Sequence, residues 1–180
     1  MKTLTLLRHA KSGWDDLVPR DFDRPLNGKG KRAAETVGRH LRAERLGFDH
    51  VVASPAVRVV ETLEHISVGL GETLAPAWDR RIYLASASTL LEVIHELPPE
   101  ADRVLLVGHN PGLEDLVLAL VPDRAEDRLR DDVEMKFPTA SLAELRFETG
   151  GWDTVAANAA TLVRFTRPRD LDPTLGPDVL

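Results

Sequence analysis

The 180-residue chain contains no cysteine. Disulfides, thiolate nucleophiles and Cys-ligated zinc are excluded at once. It also lacks any apolar run near the roughly 20 residues that a membrane-spanning helix needs. The opening "MKTLTLLRHAK" is apolar over too short a stretch for a secretory signal, and no small-residue cleavage site follows it. Aromatic side chains make up only 5% of the chain. The net charge is −6 with no basic stripe, which argues against nucleic acid as a partner. With no address signal, a cytoplasmic location without membrane attachment is expected. Internal repeats and low-complexity tracts are missing as well.

What is present is an ordinary globular composition. The 43% apolar content suits a folded core. The length suits a single domain over residues 1–180. Strand-like and helix-like segments alternate along it. "KTLTLL" reads as a strand. Asn27 reads as the N-cap of a helix from about Gly28 to Leu46, with Ala34, Val37 and Leu41 on one face and Gly47 as its stop. "HVVAS", His50 to Ser54, is a second strand, and Ser54-Pro55 reads as a cap with proline at the first helical position. The helix that follows carries Val59, Leu63, Ile66 and Leu70 on one face.

"AWDRRIYLA" predicts a strand and loop, and Ser86 or Ser88 caps a helix through Glu96. "RVLLVGHN", Arg103 to Asn110, is a strongly apolar strand, with Asn110-Pro111 as the next cap and helix start. Residues 122–136 are charge-rich and read as a solvated helix or loop. "SLAELRFE" and "TLVRFT" are late strands, and the tail from about residue 168 is expected to be loose or surface-bound. This order predicts an α/β fold: a three-layer αβα sandwich around a mostly parallel mixed sheet, with an antiparallel part near the C-terminus.

Ligands of such sheets bind beyond the carboxyl ends of the strands. Here three strand ends carry one chemistry. The first ends in Arg8-His9, the second in Ser54-Pro55 with Arg58 just beyond, and the "VLLV" strand in Gly108-His109-Asn110. If these strands are parallel neighbours, two arginines and two histidines converge beside two helix N-termini. Arginine keeps its charge and offers a planar fork that matches phosphate oxygens in pairs. A dianion site is therefore expected. Taken alone, each residue has a blander explanation as a solvated arginine or a satisfied histidine. That explanation is kept for His40, His50, His65 and His95. A cation at a helix N-terminus, as Arg58 is expected to be, needs an anion to hold it there.

"LLRHAKS" (with Arg8, His9 and Ser12), "DFDRPLNGKG", "VVASPAVRVVET" (with Arg58) and "LLVGHNPGLEDL" (with His109) stand in one order along the chain. In that order the chain resembles the histidine phosphatase superfamily, the phosphoglycerate-mutase-like proteins. "KFPTASLAEL" and "FTRPRDL" resemble its phosphohistidine phosphatase branch. The resemblance implies a metal-independent phosphatase with His9 as nucleophile, passing through a covalent phosphohistidine. The other His9 ring nitrogen would donate to a backbone carbonyl. Arg8, Arg58 and His109 would hold the phosphoryl oxygens, with Ser12 joining them in binding. No metal or other cofactor is expected, and the protein is expected to be a monomer. The implied substrate is a phosphorylated protein bearing phosphohistidine. The alternatives are a broad phosphomonoesterase for small phosphorylated substrates and an inactive phosphoprotein-binding module.

The chain departs from the family in places. Ala10 and Lys11 stand where many members have glycine and glutamate, and Asp15 follows Trp14 where mutases commonly have asparagine. No acid sits squarely in the position of the usual proton donor; Asp79 is nearest. About fifty residues separate Arg58 from His109, which leaves little chain for a closing lid and favours an open site. Arg20 and Arg24 read as surface residues or outer substrate contacts.

Overall fold

The structure is a computed structural model and describes residues 1–13, 18 and 20–177, so Trp14 and Asp15 lie outside the described residues. Six strands are seen: β1 (Lys2–Arg8), β2 (His50–Ala53), β3 (Ala77–Trp78), β4 (Arg103–Gly108), β5 (Leu142–Phe147) and β6 (Ala160–Thr166). They form one sheet in the order β3-β2-β4-β1-β5-β6. Strands β1 to β4 run parallel, and β5 runs antiparallel to both its neighbours. The sheet is thus mostly parallel with its exception near the C-terminus, as expected.

The central strand shows why the sequence reads as an unbroken apolar run. Val104 and Leu106 join the core on one face, while Leu105 and Val107 join the core on the other. A strand buried on both faces has no polar side to display. Helices α1 (Gly28–Ala43) and α2 (Val57–Leu70) cover the Leu105 face. Helices α3 (Ala87–His95), α4 (Gly112–Leu120) and α5 (Arg128–Met135) cover the other. No helix among the described residues is long and apolar enough to cross a membrane.

Two expected caps are in place. The Asn27 side chain accepts from the Gly30 N–H at 2.8 Å, and Ser86 accepts from the Thr89 N–H at 3.2 Å. Other boundaries move. Helix α1 stops at Ala43, and the turn after it is made by Arg45 at a φ of 55° rather than by Gly47. Helix α2 begins at Val57 with Ala56 at its N-cap, so Pro55 lies outside it. Ser54 does not cap that helix because its hydroxyl faces His109, at 2.8 Å. Pro111 is the N-cap residue of α4, but the Asn110 side chain still serves the start of that helix: its Oδ1 accepts from the Glu114 N–H at 3.3 Å while its Nδ2 donates to the Phe137 carbonyl at 3.0 Å.

Residues 122–136 are more than a solvated stretch. Asp127 caps α5, Val133 is buried, and buried Arg130 donates to the carbonyls of Val121 and Leu118. The tail is not loose over residues 168–177. It forms α6 (Pro168–Leu171) and a 3-10 turn at Pro173–Leu175, with Leu171 and Leu175 packed against the α1–α2 core. Covering these apolar groups offsets the entropy of ordering the segment.

The helices α1 and α2 meet through glycine. A Cβ on Gly38 would sit 2.3 Å from the Ile66 carbonyl oxygen, and one on Gly69 would sit 2.1 Å from that of Glu35. Backbone cannot step aside as a side chain can. Gly69→Ala is therefore expected to destabilise the protein by about 1–3 kcal/mol through overpacking, although alanine is the better helix former. Urea unfolding of the variant and the parent checks this.

Candidate active site

Register decides what meets at the sheet edge. Arg8 lies opposite Gly108, and Ala53 opposite Val107. The strands β2, β4 and β1 therefore end at one level, and the chain delivers Ser54, His109 and His9 side by side. The His9 and His109 ring centroids are 5.3 Å apart. Arg58, in the first turn of α2, completes the wall of a cleft of about 350 Å³ shared with Arg8, His9, His109 and Asp21. All four expected residues are brought together.

His9 Nδ1 donates to the Ala10 carbonyl at 2.7 Å. A carbonyl only accepts, so the ring proton is on Nδ1 and Nε2 keeps its lone pair. Burial, and then the fields of His109, Arg8 and Arg58, outweigh that hydrogen bond and push the His9 pKa down to about 3. The ring is neutral at neutral pH, with the Nε2 lone pair free. His109 is held from the opposite side. Its Nε2 meets Ser54 Oγ at 2.8 Å, and the same oxygen accepts from the Ala56 N–H at 3.3 Å. The serine oxygen can take either role toward Nε2, and His109 Nδ1 is a buried atom without a partner. Burial first, then the charges of Arg58 and Arg8, bring the His109 pKa to about 3 despite the opposing field of Asp21.

Arg58 is almost wholly buried, its side chain 4% exposed. It donates to the Asp21 carbonyl at 2.8 Å and to Asp21 Oδ2 at 3.0 Å. Tyr83 donates its hydroxyl to the same carboxylate oxygen, and Arg24 donates to Oδ1 at 2.9 Å. Burial raises the Asp21 pKa, but these donors together hold it well below the usual carboxylate range. Thr62 ties the two halves of the site: it donates to the Arg58 carbonyl at 2.6 Å and accepts from the Ala10 N–H at 2.9 Å. Arg8 is fixed through Nη1 to the Phe137 carbonyl at 2.9 Å, which leaves its buried Nε unpartnered. Among the described residues, no three His, Asp or Glu side chains gather as metal ligands.

Other candidates fare differently. Ser12 lines the cleft, but its hydroxyl donates to the Pro25 carbonyl at 2.7 Å and so ties down the loop. Asp79 does not line it. Its carboxylate caps the 3-10 turn Arg80–Ile82 and pairs with Arg81 at 2.8 Å. Those Arg81 hydrogen bonds keep it ionised below its ordinary range, which is wrong for an acid that must hold a proton. Arg24 lines the cleft, whereas Arg20 pairs with Asp23 at the surface. His40, His50, His65 and His95 lie elsewhere; His65 meets Glu35 and His95 meets the Val155 carbonyl. Sequence reasoning missed Asp21, Tyr83 and Ser54. The available signal for Asp21 was the need of Arg58 for an anion.

The profile described as "Histidine phosphatase superfamily (branch 1)" matches residues 4–82. An uncharacterised protein of Mycobacterium tuberculosis is 36% identical over 165 residues, which is 91% of this chain and all of the relative. Two solved structures share 30% identity with the chain. One is a candidate phosphohistidine phosphatase SixA from Nakamurella multipartitia, with a TM-score of 0.79 over 93% of this chain and 96% of that one. The other, from Agrobacterium tumefaciens and described in the same terms, has a TM-score of 0.76 over 93% and 98%. The chain belongs to the histidine phosphatase superfamily. Within it, the chain sides with the phosphohistidine phosphatase-like branch.

As a histidine phosphatase fold, the protein carries its signature histidines in an uncharged state, and this has a measurable effect. Unfolded, each takes a proton near pH 6.5; folded, near pH 3. Between those values the unfolded chain binds more protons, so stability falls as pH drops through the window. The urea midpoint is expected to decrease from pH 7 to pH 4.5, and to decrease less in His9→Asn. The Asp21–Arg58 pair gives a second expectation. Asp21→Asn should lower kcat/KM on a phosphorylated substrate by roughly tenfold to a hundredfold through misplacement of Arg58. It should add little to the loss in Arg58→Ala, which a double-mutant cycle reads directly.

Proposed function

We propose that this protein is a metal-independent phosphatase with its covalent intermediate on His9, and that it removes the phosphoryl group from phosphohistidine on a protein. The observation that carries the reading is the His9 ring itself. It is locked by Ala10, held neutral by burial, and flanked by Arg8, Arg58 and His109.

Nε2 attacks phosphorus while the bond from phosphorus to the substrate's imidazole nitrogen breaks. The departing imidazole takes a proton from water. A second water then attacks the phosphoryl group on His9, returning the lone pair to Nε2 and releasing inorganic phosphate. The two guanidiniums supply donors to phosphoryl oxygens as their charge redistributes, with His109 beside them.

The preference for phosphohistidine rests on the acid. Among the described residues lining the cleft, the one carboxylate is Asp21, and its donors keep it ionised. An alkoxide leaving group lacks a proton source there. The leaving nitrogen of a phosphoramidate is protonated by solvent and makes no such demand. The similarity to two candidate phosphohistidine phosphatases supports the same substrate class.

Rapid trapping with a radiolabelled phosphodonor, kept away from acid, is expected to leave label on the parent and none on His9→Ala. Arg58→Ala is expected to lose roughly 10²–10³ in kcat, the cost of one removed transition-state donor. A phosphohistidine phosphotransfer domain should be turned over well ahead of a sugar phosphate. Comparable rates on the two would replace this substrate with small phosphomonoesters.

A further inference from the structure

Beside the catalytic cleft lies a second recess of about 280 Å³. Arg8, Lys11 and Thr139 line both hollows, so the two are continuous across the Arg8 side chain. The recess exists because the tail is folded: Pro168, Arg169 and Leu175 supply one wall, and α1 and the segment after α5 supply the others.

Its charge is unusual for this chain. Among the described residues, Arg8, Lys11, Lys29, Lys136, Arg167 and Arg169 line it and no acidic residue does, although the whole chain carries −6. Some of these cations have structural duties. Arg167 pairs with Asp170 at 3.0 Å, and Lys29 donates to the Gly176 carbonyl. Lys136 and Arg169 are exposed, one on each side. Between the cations the surface is aliphatic, from Ala33, Pro138, Pro168 and Leu175. A lone phosphate is held by converging donors. Spaced cations over aliphatic surface instead complement a peptide that carries carboxylates.

We infer that this recess receives acidic side chains that flank the phosphorylated residue of the substrate protein, an inference that rests on the phosphatase reading above. Arg8 holds the phosphoryl group on one side, and the recess takes a neighbouring carboxylate on the other. The basic recess then selects the substrate while the cleft performs the chemistry.

Two phosphohistidine peptides identical except for glutamate or glutamine at the flanking positions test it. The parent is expected to favour the acidic peptide in kcat/KM on the order of tenfold, the sum of a few partly exposed charge pairs. The preference should shrink as salt rises. Lys136→Glu combined with Arg169→Glu should abolish or invert it, mainly through KM. Arg103→Glu, the same charge change at the opposite end of β4, should retain it. Equal kcat/KM for the two peptides, or a preference that survives the double charge reversal, overturns the inference. So does tighter use of a small bisphosphate than of the acidic peptide.

Binding of non-hydrolysable phosphonate versions of the peptides to His9→Ala separates this outcome from failure of the phosphatase reading. An acid preference in binding, with no turnover by the parent, sinks the catalytic reading and leaves the recess standing. Equal affinities sink the recess whatever the turnover.

Discussion

Arg8, His9, Arg58 and His109 can each carry a positive charge, and they share one edge of one sheet. Two imidazolium rings 5.3 Å apart would repel by about 3 kcal/mol at an effective dielectric of about 20. Burial disfavours charge on the rings first, and the arginines, which cannot give up their protons, add to it, so the histidines stay neutral. That constraint makes the chemistry possible. A neutral imidazole with its proton fixed on Nδ1 is a nucleophile at Nε2, and two guanidiniums with incomplete local neutralisation are a ready place for a dianion. The same packing that disfavours charge on the rings favours charge on the ligand.

The surrounding contacts serve that arrangement. Arg58 is buried at a helix N-terminus, where the helix dipole repels a cation, and Asp21 stabilises it there with both a carbonyl and a carboxylate oxygen. Leaving a buried charge unpaired costs about 3–5 kcal/mol, so Asp21 also helps to hold the loop after β1 in place. Tyr83 connects this pair to the aromatic side of the cleft, its ring edge-on to His109 at 5.4 Å. The Ala10 carbonyl sets the His9 tautomer, and Ser54 orients the His109 ring through Nε2. Each imidazole is thus held through one nitrogen.

Much of this was legible in the sequence because strand ends were legible. β4 is apolar on both faces and β1 carries Leu4, Leu6 and Leu7, and each stops at a polar pair, Arg8-His9 and His109-Asn110. Once parallel neighbours in register, they had to bring those pairs together. Asn27 and Ser86 were readable as caps because the partners of their side chains are local, within three residues along the chain. Ser54 misled: it looks like a cap, and its hydroxyl is drawn to His109, 55 residues away, whereas Asn110 reaches Phe137, 27 residues away, and still accepts from the Glu114 N–H. Asp21 was hidden by the same distance, 37 residues from Arg58. The tail looked loose because prolines and charges dominate it. Leu171 and Leu175 give it a face, and only the exposed side of α1 shows what that face covers.

The state of Asp21, the one carboxylate among the described residues lining the cleft, bears on the proposed substrate class. An enzyme that cleaves a phosphate ester needs a proton delivered to an alkoxide, and a carboxyl group can deliver one only if its surroundings keep it protonated. Burial does push Asp21 that way, but Arg58, Arg24 and Tyr83 reverse the balance. Weakening those donors to make Asp21 a better acid would also release Arg58. One carboxylate cannot serve both roles in this site. On the proposed reading, a leaving group that collects its proton from water removes the conflict. The proposed substrate class and the ionised Asp21 are then consequences of one another.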